Sequence, residues 1–282
     1  MSLSLQSLTE GDLDAADRVL MGAFRSPSRR AELALYMSLQ PDGWLLANLD
    51  GAPVGLGGVT SYGAFAYLGL MAVDPAMQRR GIGQALVEAL VARAHELGSA
   101  MILLDASDAG APLYARLGFV EDDRARVYTR ETTISVESTA GQAVRLLAQD
   151  DLPALVAFDA PYFGAARASV LRMCVQRYAE RSFATRDEAG AINGYLIAFE
   201  ERIGPWLATT PEVAETLLAC ALTLPFATPL SIIVPALNSD ATTLLERSGF
   251  TSRRDLRHMR HGGAPALERR IHLYGQASFA IG

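Results

Sequence analysis

Residues 70–84 read LMAVDPAMQRRGIGQ, and the rest of the chain is best interpreted from this stretch. An apolar run that ends at Val73 predicts a β-strand, and Asp74-Pro75 predicts a turn directly after it. The helical pattern ALVEALVARAHEL then begins at Ala85. A strand, a short basic loop with two glycines and a helix start can form an anion site, because the first N–H groups of a helix have no acceptor within the helix.

The spacing of the loop residues separates this site from two other phosphate-binding motifs. A P-loop requires Lys-Ser or Lys-Thr after its glycines, and neither follows here. A dinucleotide fingerprint requires a third glycine, but Leu86 stands at that position. What remains is QRRGIG at residues 78–83. Its glycines let a diphosphate approach the main chain, and Arg79 and Arg80 add positive charge.

The composition is that of an ordinary globular protein and argues against several classes of function. A net charge of −6 and a pI near 5.3 do not fit a nucleic-acid partner, which requires a clustered basic face. No run of about eighteen apolar residues and no signal peptide are found, so we expect a cytoplasmic protein without membrane contact. The four histidines and two cysteines lack metal-ligand spacing, so we expect no metal site.

A second motif, LYARLGF at residues 113–119, follows the strand-like run ILLDAS at residues 102–107. Together with QRRGIG and the preceding Val73-Asp74-Pro75, it makes the sequence resemble the GNAT family of acetyl-CoA-dependent N-acyltransferases. The resemblance implies an α/β fold in which helices flank a central, mostly antiparallel mixed sheet. It also implies acetyl-CoA as co-substrate and a small primary amine as acceptor, with direct transfer in a ternary complex.

The resemblance implies a role for each matching residue. Tyr114 matches the tyrosine that protonates the departing thiolate, and a phenol suits this role because it is protonated at neutral pH. Its alternative role is packing against Phe119. The backbone of the strand before the loop would hold the pantetheine arm through Met71, Ala72 and Val73. The loop and helix start would hold the pyrophosphate through Gln78, Arg79, Arg80, Gly81, Ile82, Gly83 and Gln84.

One departure from the family pattern concerns the general base. Many relatives carry a glutamate near the end of the fourth strand, but residues 64–70 read AFAYLGL and contain no carboxylate. Asp105, at the end of the fifth predicted strand, is the candidate base. Two alternatives stay open: Asp105 caps the short helix that follows, or no protein base acts and the amine arrives neutral.

From about Ser135 onward the order of signals repeats, but without the phosphate loop. LLERSGF at residues 244–250 echoes LYARLGF, with Leu245 in place of Tyr114. The layout resembles tandem GNAT proteins with a YitH-like C-terminal half, through DAPYFGAAR at 159–167 and IGPW at 203–206. We therefore predict two tandem GNAT folds. Residues 1–133 would bind acetyl-CoA and carry the catalytic site, and residues 134–282 would be degenerate, with a tail strand.

The function of the second half is the least constrained part of the interpretation. Tyr162, Arg167 and Trp206 could line a substrate cleft, since ligand sites favour domain junctions, or they could be packing residues. The tail at residues 267–282 predicts a strand at a sheet edge.

Three readings of the whole chain remain. An N-acetyltransferase is favoured, a non-catalytic acyl-CoA sensor or interaction module is the alternative, and a dinucleotide-binding enzyme is disfavoured by the glycine spacing. Neither the acceptor amine nor the choice between monomer and homodimer can be read from the sequence.

Overall fold

The chain forms two compact units in its structure, a computed structural model that describes residues 2–131, 144–264 and 267–282. Unit 1 comprises the residues up to Glu121 together with Met259–Ala264 and Phe279–Gly282. Unit 2 comprises Asp122–His258 and residues 265–278. In the parts of the chain that are described, no helix combines the length and the apolar character needed to cross a membrane.

Unit 1 contains a five-stranded run of sheet flanked by helices. In chain order its elements are β1 Leu3–Ser7, α1 Leu13–Phe24, α2 Arg30–Leu39, β2 Trp44–Leu49, β3 Ala52–Ser61, β4 Ala66–Val73, α3 Ile82–Glu96, β5 Ile102–Ala106 and α4 Ala111–Arg116. The strands lie in the order β1-β2-β3-β4-β5, antiparallel except for the parallel pair β4 and β5. The predicted mixed α/β sheet is confirmed, and its core contains residues of α3 together with residues of the strands β2 to β5.

Close packing in unit 1 depends on glycines in β3. Gly58 lies opposite Trp44 in the β2–β3 register, and the fully buried indole ring covers it. A Cβ on Gly58 would lie 2.2 Å from Trp44 Cε3. Trp44 in turn stacks on Tyr36 of α2, with ring centroids 6.2 Å apart. The ring is therefore held on both sides, and only glycine fits beneath it.

Strand β4 contains a bulge that the sequence did not predict. Ala72 pairs with Leu56 and Gly69 with Gly58, so Leu70 and Met71 together oppose the single residue Gly57. Leu70 adopts φ = +50°, a left-handed conformation that is unfavourable for a bulky side chain. The parallel pairing of β4 with β5 covers only Ala66–Ile102 and Tyr67–Leu103, so it ends just before the bulge. A gap opens between the two strands from there on.

Unit 2 repeats the same order of elements. In chain order the elements are β6 Val120–Arg130, β7 Val144–Leu146, α5 Leu152–Phe163, α6 Ala168–Arg177, β8 Ser182–Arg186, β9 Ile192–Ala198, β10 Arg202–Ala208, α7 Pro211–Ala221, β11 Leu230–Pro235, α8 Ser239–Arg247, β12 Thr251–His261 and β13 Leu273–Gly275. The first residues of β6 and the last residues of β12 belong to unit 1. The run β7-β8-β9-β10-β11 has the neighbour order and strand directions of β1-β2-β3-β4-β5. This repetition confirms the tandem fold.

The compact units do not coincide with the two halves of the sequence. Strand β6 follows LYARLGF in the first half, yet it pairs antiparallel with β11 in unit 2. Conversely, Met259 from the second half packs in the core of unit 1. The predicted boundary between residues 133 and 134 lies outside the described residues and stays a prediction.

The tail differs from the expected edge strand. Residues Leu267–His272 form a 3₁₀ helix, and only Leu273–Gly275 is a strand. This strand, β13, pairs antiparallel with β10, which already has β9 as a neighbour and pairs with β11 at its start. The tail strand is thus internal, because the splaying of β10 from β11 leaves room for it.

The contact between Gly58 and Trp44 gives a stability test. We expect Gly58→Ala to lower the free energy of unfolding by about 1–3 kcal/mol, because the added methyl group overpacks against a ring that cannot move away. Gly22→Ala is the control, since a Cβ there meets nothing within 4 Å in an exposed part of α1. Urea denaturation should show a loss for the first variant only. Equal stability of the two variants would contradict this description of the core.

Candidate functional site

The loop before α3 has the backbone shape of an anion site. Arg79 and Gly81 both adopt left-handed conformations, with φ of +61° and +81°. Gly81 caps the helix, and its carbonyl accepts the first helical hydrogen bond, from Ala85 N–H at 3.0 Å. The N–H groups of the first turn before Ala85 therefore have no acceptor within the helix. The loop from Gln78 to Gly81 is exposed, so these donors and the positive end of the helix are accessible to an anion.

Gly83 connects the three parts of the predicted site. A Cβ on Gly83 would lie 3.3 Å from Leu113 Cδ2 and 3.8 Å from Val73 Cγ2. The start of α3, the end of β4 and the helix α4 that carries Tyr114 therefore meet at this glycine. Ile82 and Tyr114 also belong to the same buried cluster. The structure thus places the end of β4, the start of α3 and the helix of Tyr114 next to one another, and the roles assigned to them stay predictions.

The gap between β4 and β5 exposes one edge of β4 beside this loop. Ala72 and Val73 pair with Leu56 and Gly55 of β3 on one side, but they have no register partner in β5. Pantetheine carries peptide-like amides and could add to such an edge as an extra strand does. Of the two glutamines expected at the pyrophosphate, Gln78 donates from Nε2 to Val73 O at 3.2 Å, and Gln84 donates from Nε2 to Glu88 Oε1 at 2.8 Å.

Tyr114 is 7% exposed and lies edge-on to Phe119, with ring centroids 5.6 Å apart. Burial raises the pKa of its phenol above the ordinary value of 10, so the group stays protonated at neutral pH. Among the residues that the structure describes, the Tyr114 hydroxyl has no hydrogen-bond partner. The ring is therefore held by packing, and its proton is available for donation to a ligand.

Asp105 lies at the end of β5, as expected, and is partly exposed. The buried hydroxyl of Tyr67 donates a hydrogen bond to Asp105 Oδ2. The neighbouring pair Tyr67–Leu103 is the last register pair between β4 and β5, so Asp105 stands where the gap begins. Helix α4 has Gly110 at its N-cap, so Asp105 is not the cap residue of that helix; its role as a base stays a prediction.

The three residues suggested for a substrate site in the second half differ in accessibility. The side chain of Arg167 is fully buried, and so is Trp206, which packs against Tyr274 with ring centroids 5.1 Å apart. Neither can touch a ligand without opening the core of unit 2, and we do not retain them as substrate residues. Tyr162 is partly exposed and packs on His272, with centroids 4.8 Å apart.

Arg167 instead forms a closed polar cluster. Its Nε donates to Asp159 Oδ2 at 2.9 Å and its Nη2 to Asp159 Oδ1 at 2.8 Å. The hydroxyl of Tyr195 donates to Asp159 Oδ1 at 2.5 Å. The guanidinium also lies 3.9 Å from the ring centroid of Phe163. A buried charge with this set of partners has a structural role.

In unit 2 the counterpart of the β4–β5 gap is filled. Strands β10 and β11 pair only at Arg202–Ser231 and Ile203–Ile232, and β13 then pairs with Trp206 and Leu207. On its other side the tail donates from Gln276 N–H to Ile233 O at 2.8 Å. Gly204 allows this approach, because a Cβ there would lie 2.0 Å from Gln276 O. Residues 273–276 thus fill the gap between β10 and β11.

The sequence analysis did not identify two features of the site, the bulge at Leu70 and the hydrogen bond from Tyr67 to Asp105. Leu70 gives no signal, because leucine has no tendency to adopt the left-handed conformation that the bulge imposes. Tyr67 precedes the bulge, and its contact with Asp105 depends on the β4–β5 register. As for metals, the described residues contain no group of three or more His, Cys, Asp or Glu placed to hold one.

Comparison with known proteins gives one consistent result. The family model described as "Acetyltransferase (GNAT) family" matches residues 13–119, and the one described as "Acetyltransferase (GNAT) domain" matches residues 155–275. The chain is 25% identical over 207 residues, 72% of either protein, to the "Uncharacterized N-acetyltransferase YitH" of Bacillus subtilis strain 168.

Solved structures agree over nearly the whole chain. A "Putative Acetyltransferase" from Pyrococcus horikoshii is similar with a TM-score of 0.86 and 28% identity, covering 99% of this chain and 96% of that one. A GCN5-related N-acetyltransferase from Sphaerobacter thermophilus has the same fold, with a TM-score of 0.70 and 15% identity over 93% and 96% of the two chains.

The cluster around Arg167 predicts a large effect on stability. We expect Arg167→Met to lower the free energy of unfolding by about 3–5 kcal/mol, because Asp159 would be left as a buried charge without its partner. Arg172→Met, at an exposed position of α6, should have little effect. Chemical denaturation of both variants measures the difference. A small loss at Arg167 would indicate that its guanidinium is not needed for the core.

Proposed function

Since the chain belongs to the GNAT acetyltransferases and contains two such domains, we propose that it transfers the acetyl group of acetyl-CoA to a primary amine, with unit 1 as the catalytic unit. The observation that carries this proposal is the junction at Gly83. There a Cβ at the start of α3 would lie within 4 Å of both Val73 of β4 and Leu113 of the helix that carries Tyr114. Unit 2 offers neither the glycine-arginine loop nor an open gap.

Binding of acetyl-CoA is assigned to backbone groups of unit 1. The first N–H groups of α3, together with Arg79 and Arg80, would hold the pyrophosphate, and charge-assisted hydrogen bonds of this kind contribute roughly 1.5–3 kcal/mol each. The edge from Met71 to Val73 would hold the pantetheine amides. When bound, acetyl-CoA supplies a thioester whose carbonyl carbon is open to attack by an amine.

The chemical roles fall to two side chains. Tyr114 holds a proton at neutral pH, and its hydroxyl would donate it to the sulfur as negative charge develops there. Asp105 would accept a proton from the attacking amine on its carboxylate, which the hydrogen bond from Tyr67 to Oδ2 holds in position. Direct transfer in a ternary complex follows, because the proposed roles include no nucleophile that would carry the acetyl group on the protein.

Gly81 allows a test of cofactor binding with a matched control. Gly81 and Gly98 stand at the two ends of α3, both are left-handed, with φ of +81° and +86°, and a Cβ on either meets nothing within 4 Å. Gly81→Val and Gly98→Val should therefore lower the free energy of unfolding by similar amounts. Only Gly81→Val should abolish acetyl-CoA binding, because its side chain would enter the space of the pyrophosphate.

Titration calorimetry with acetyl-CoA measures both variants and the stoichiometry. We expect one acetyl-CoA per chain for the unaltered protein and for Gly98→Val. A stoichiometry near two, or unchanged binding by Gly81→Val, would contradict the assignment to unit 1.

Tyr114→Phe tests the acid and separates an enzyme from an acyl-CoA sensor. We expect kcat to fall by roughly 10²-fold while the Kd for acetyl-CoA is unchanged, because the hydroxyl acts only when charge develops on the leaving sulfur. Tyr128→Phe, in the core of unit 2, is the control and should keep its kcat. Thiol release with a panel of amines is the measurement. A sensor would bind acetyl-CoA and release no thiol with any amine.

A further inference from the structure

Residues Phe279–Gly282, called the tail segment below, belong to unit 1 and pack against β4. Ala280 and Ile281 are only 3% and 2% exposed. The hydroxyl of Tyr62 donates to Ile281 O at 2.7 Å. Gly69 lies directly against the segment: a Cβ there would be 2.3 Å from Ala280 Cα and 2.9 Å from Ala280 O. Two backbones are thus in contact, which is possible because position 69 has no side chain.

The alternation of side chains along β4 shows which face of the sheet this contact occupies. Ala66 and Leu68 point into the core cluster that contains Leu86 and Leu90 of α3. Tyr67, on the opposite face, reaches Asp105. Gly69 precedes the bulge and is two residues from Tyr67, so it shares that face. The tail segment therefore lies on the Asp105 face of the sheet, away from α3.

The two faces have different access to the proposed thioester position. Acetyl-CoA is assigned to the side of the α3 N-terminus, where the phosphate loop lies. An amine must approach the carbonyl carbon from a direction that the cofactor leaves open, and Asp105, the proposed base, lies on that other face. An element that packs on Gly69, two residues from Tyr67 and on the same face as Asp105, thus borders the path of the amine.

We propose that the tail segment is a wall of the acceptor site and limits the size of the amine that reaches the thioester. The inference rests on the proposed function of unit 1. Gly69 and Ala280 set the position of this wall, since both are small and in direct contact, and the hydrogen bond from Tyr62 holds Ile281 in place. The acceptors it favours are slender primary amines, and amines with bulky ring systems are disfavoured.

Two substitutions move the wall without touching Asp105 or Tyr114. Gly69→Ala places a methyl group where Ala280 lies, so the segment must shift outward. Tyr62→Phe removes only the hydrogen bond to Ile281 and keeps the ring, so this variant should fold even if the first does not. Gly22→Ala in α1 is the matched glycine control.

The experiment measures thiol release with n-propylamine, 2-phenylethylamine and tryptamine as probe acceptors. We expect the ratio of kcat/KM for tryptamine to that for n-propylamine to rise by about tenfold in Gly69→Ala, since pocket size discriminates by factors of this order. It should rise less in Tyr62→Phe and stay unchanged in Gly22→Ala. Calorimetry should show the same Kd for acetyl-CoA in all of them.

The outcomes separate this inference from the proposed function. If the unaltered protein releases thiol but the ratio is the same in Tyr62→Phe and in any folded Gly69→Ala, the tail segment is not a wall of the acceptor site. A fall in kcat for all three amines alike would also overturn the inference, because it would place the segment's effect on the chemistry. If the protein binds acetyl-CoA and acetylates no amine, the proposed function fails and this inference fails with it.

Discussion

The early end of the pairing between β4 and β5 is the constraint on which the site depends. Two parallel strands that began in register would continue as a ladder, and each further pair would close the sheet. The ladder here ends at Tyr67–Leu103, and the bulge at Leu70 follows directly, where one extra residue in β4 bends and twists the strand. The left-handed backbone of a leucine is strained, and such strain is typical of functional positions, where the surrounding structure holds it. The open edge of β4, the partial exposure of Asp105 and the position of the phosphate loop all follow from this divergence.

Unit 2 shows how the chain closes the corresponding divergence with its own residues. An open gap between two strands leaves backbone donors and acceptors without partners, and in a protein interior that is costly. In unit 2 the chain satisfies them itself: β13 pairs with β10, and Gln276 N–H binds Ile233 O. The side chain of Asn238 adds a hydrogen bond from Nδ2 to Leu273 O at 3.0 Å. Peptide and pantetheine carry similar amide groups. The tail strand beside β10 therefore offers the same kind of hydrogen bonds that the proposed pantetheine arm would make beside β4.

The sequence predicted the parts of the fold that are written in local patterns. The strand, turn, loop and helix from Leu70 to Gln84 are decided by neighbouring residues, and so is the position of Tyr114 after a short buried strand. The predictions for Arg167 and Trp206 had a weaker basis, because an aromatic or a charged residue looks the same in sequence whether it lines a cleft or fills a core. Burial and the pairing with Asp159 depend on long-range contacts that periodicity cannot reveal.

The non-local features were out of reach for the same reason. Nothing in the residues of β6 indicates that it pairs with β11, since strands that are far apart in the sequence share no local pattern. The contact of Gly69 with Ala280 joins positions that are far apart in the sequence, and the two small residues carry no motif. The left-handed conformation of Leu70 runs against the preference of its own side chain, so only tertiary structure can impose it.

Unit 1 contains residues from both ends of the chain, and this determines when it can finish folding during synthesis on the ribosome. Its core contains Met259, and the ring of Phe119 lies 5.1 Å from that of His261, measured between centroids. Glu121 leaves the ribosome long before these residues are translated, by on the order of ten seconds at ordinary elongation rates. During that interval the nascent first half has its five strands but lacks part of its core, and β5 presents an uncovered edge. The unit whose first strands are synthesised early therefore cannot complete its core until most of the other unit has been synthesised.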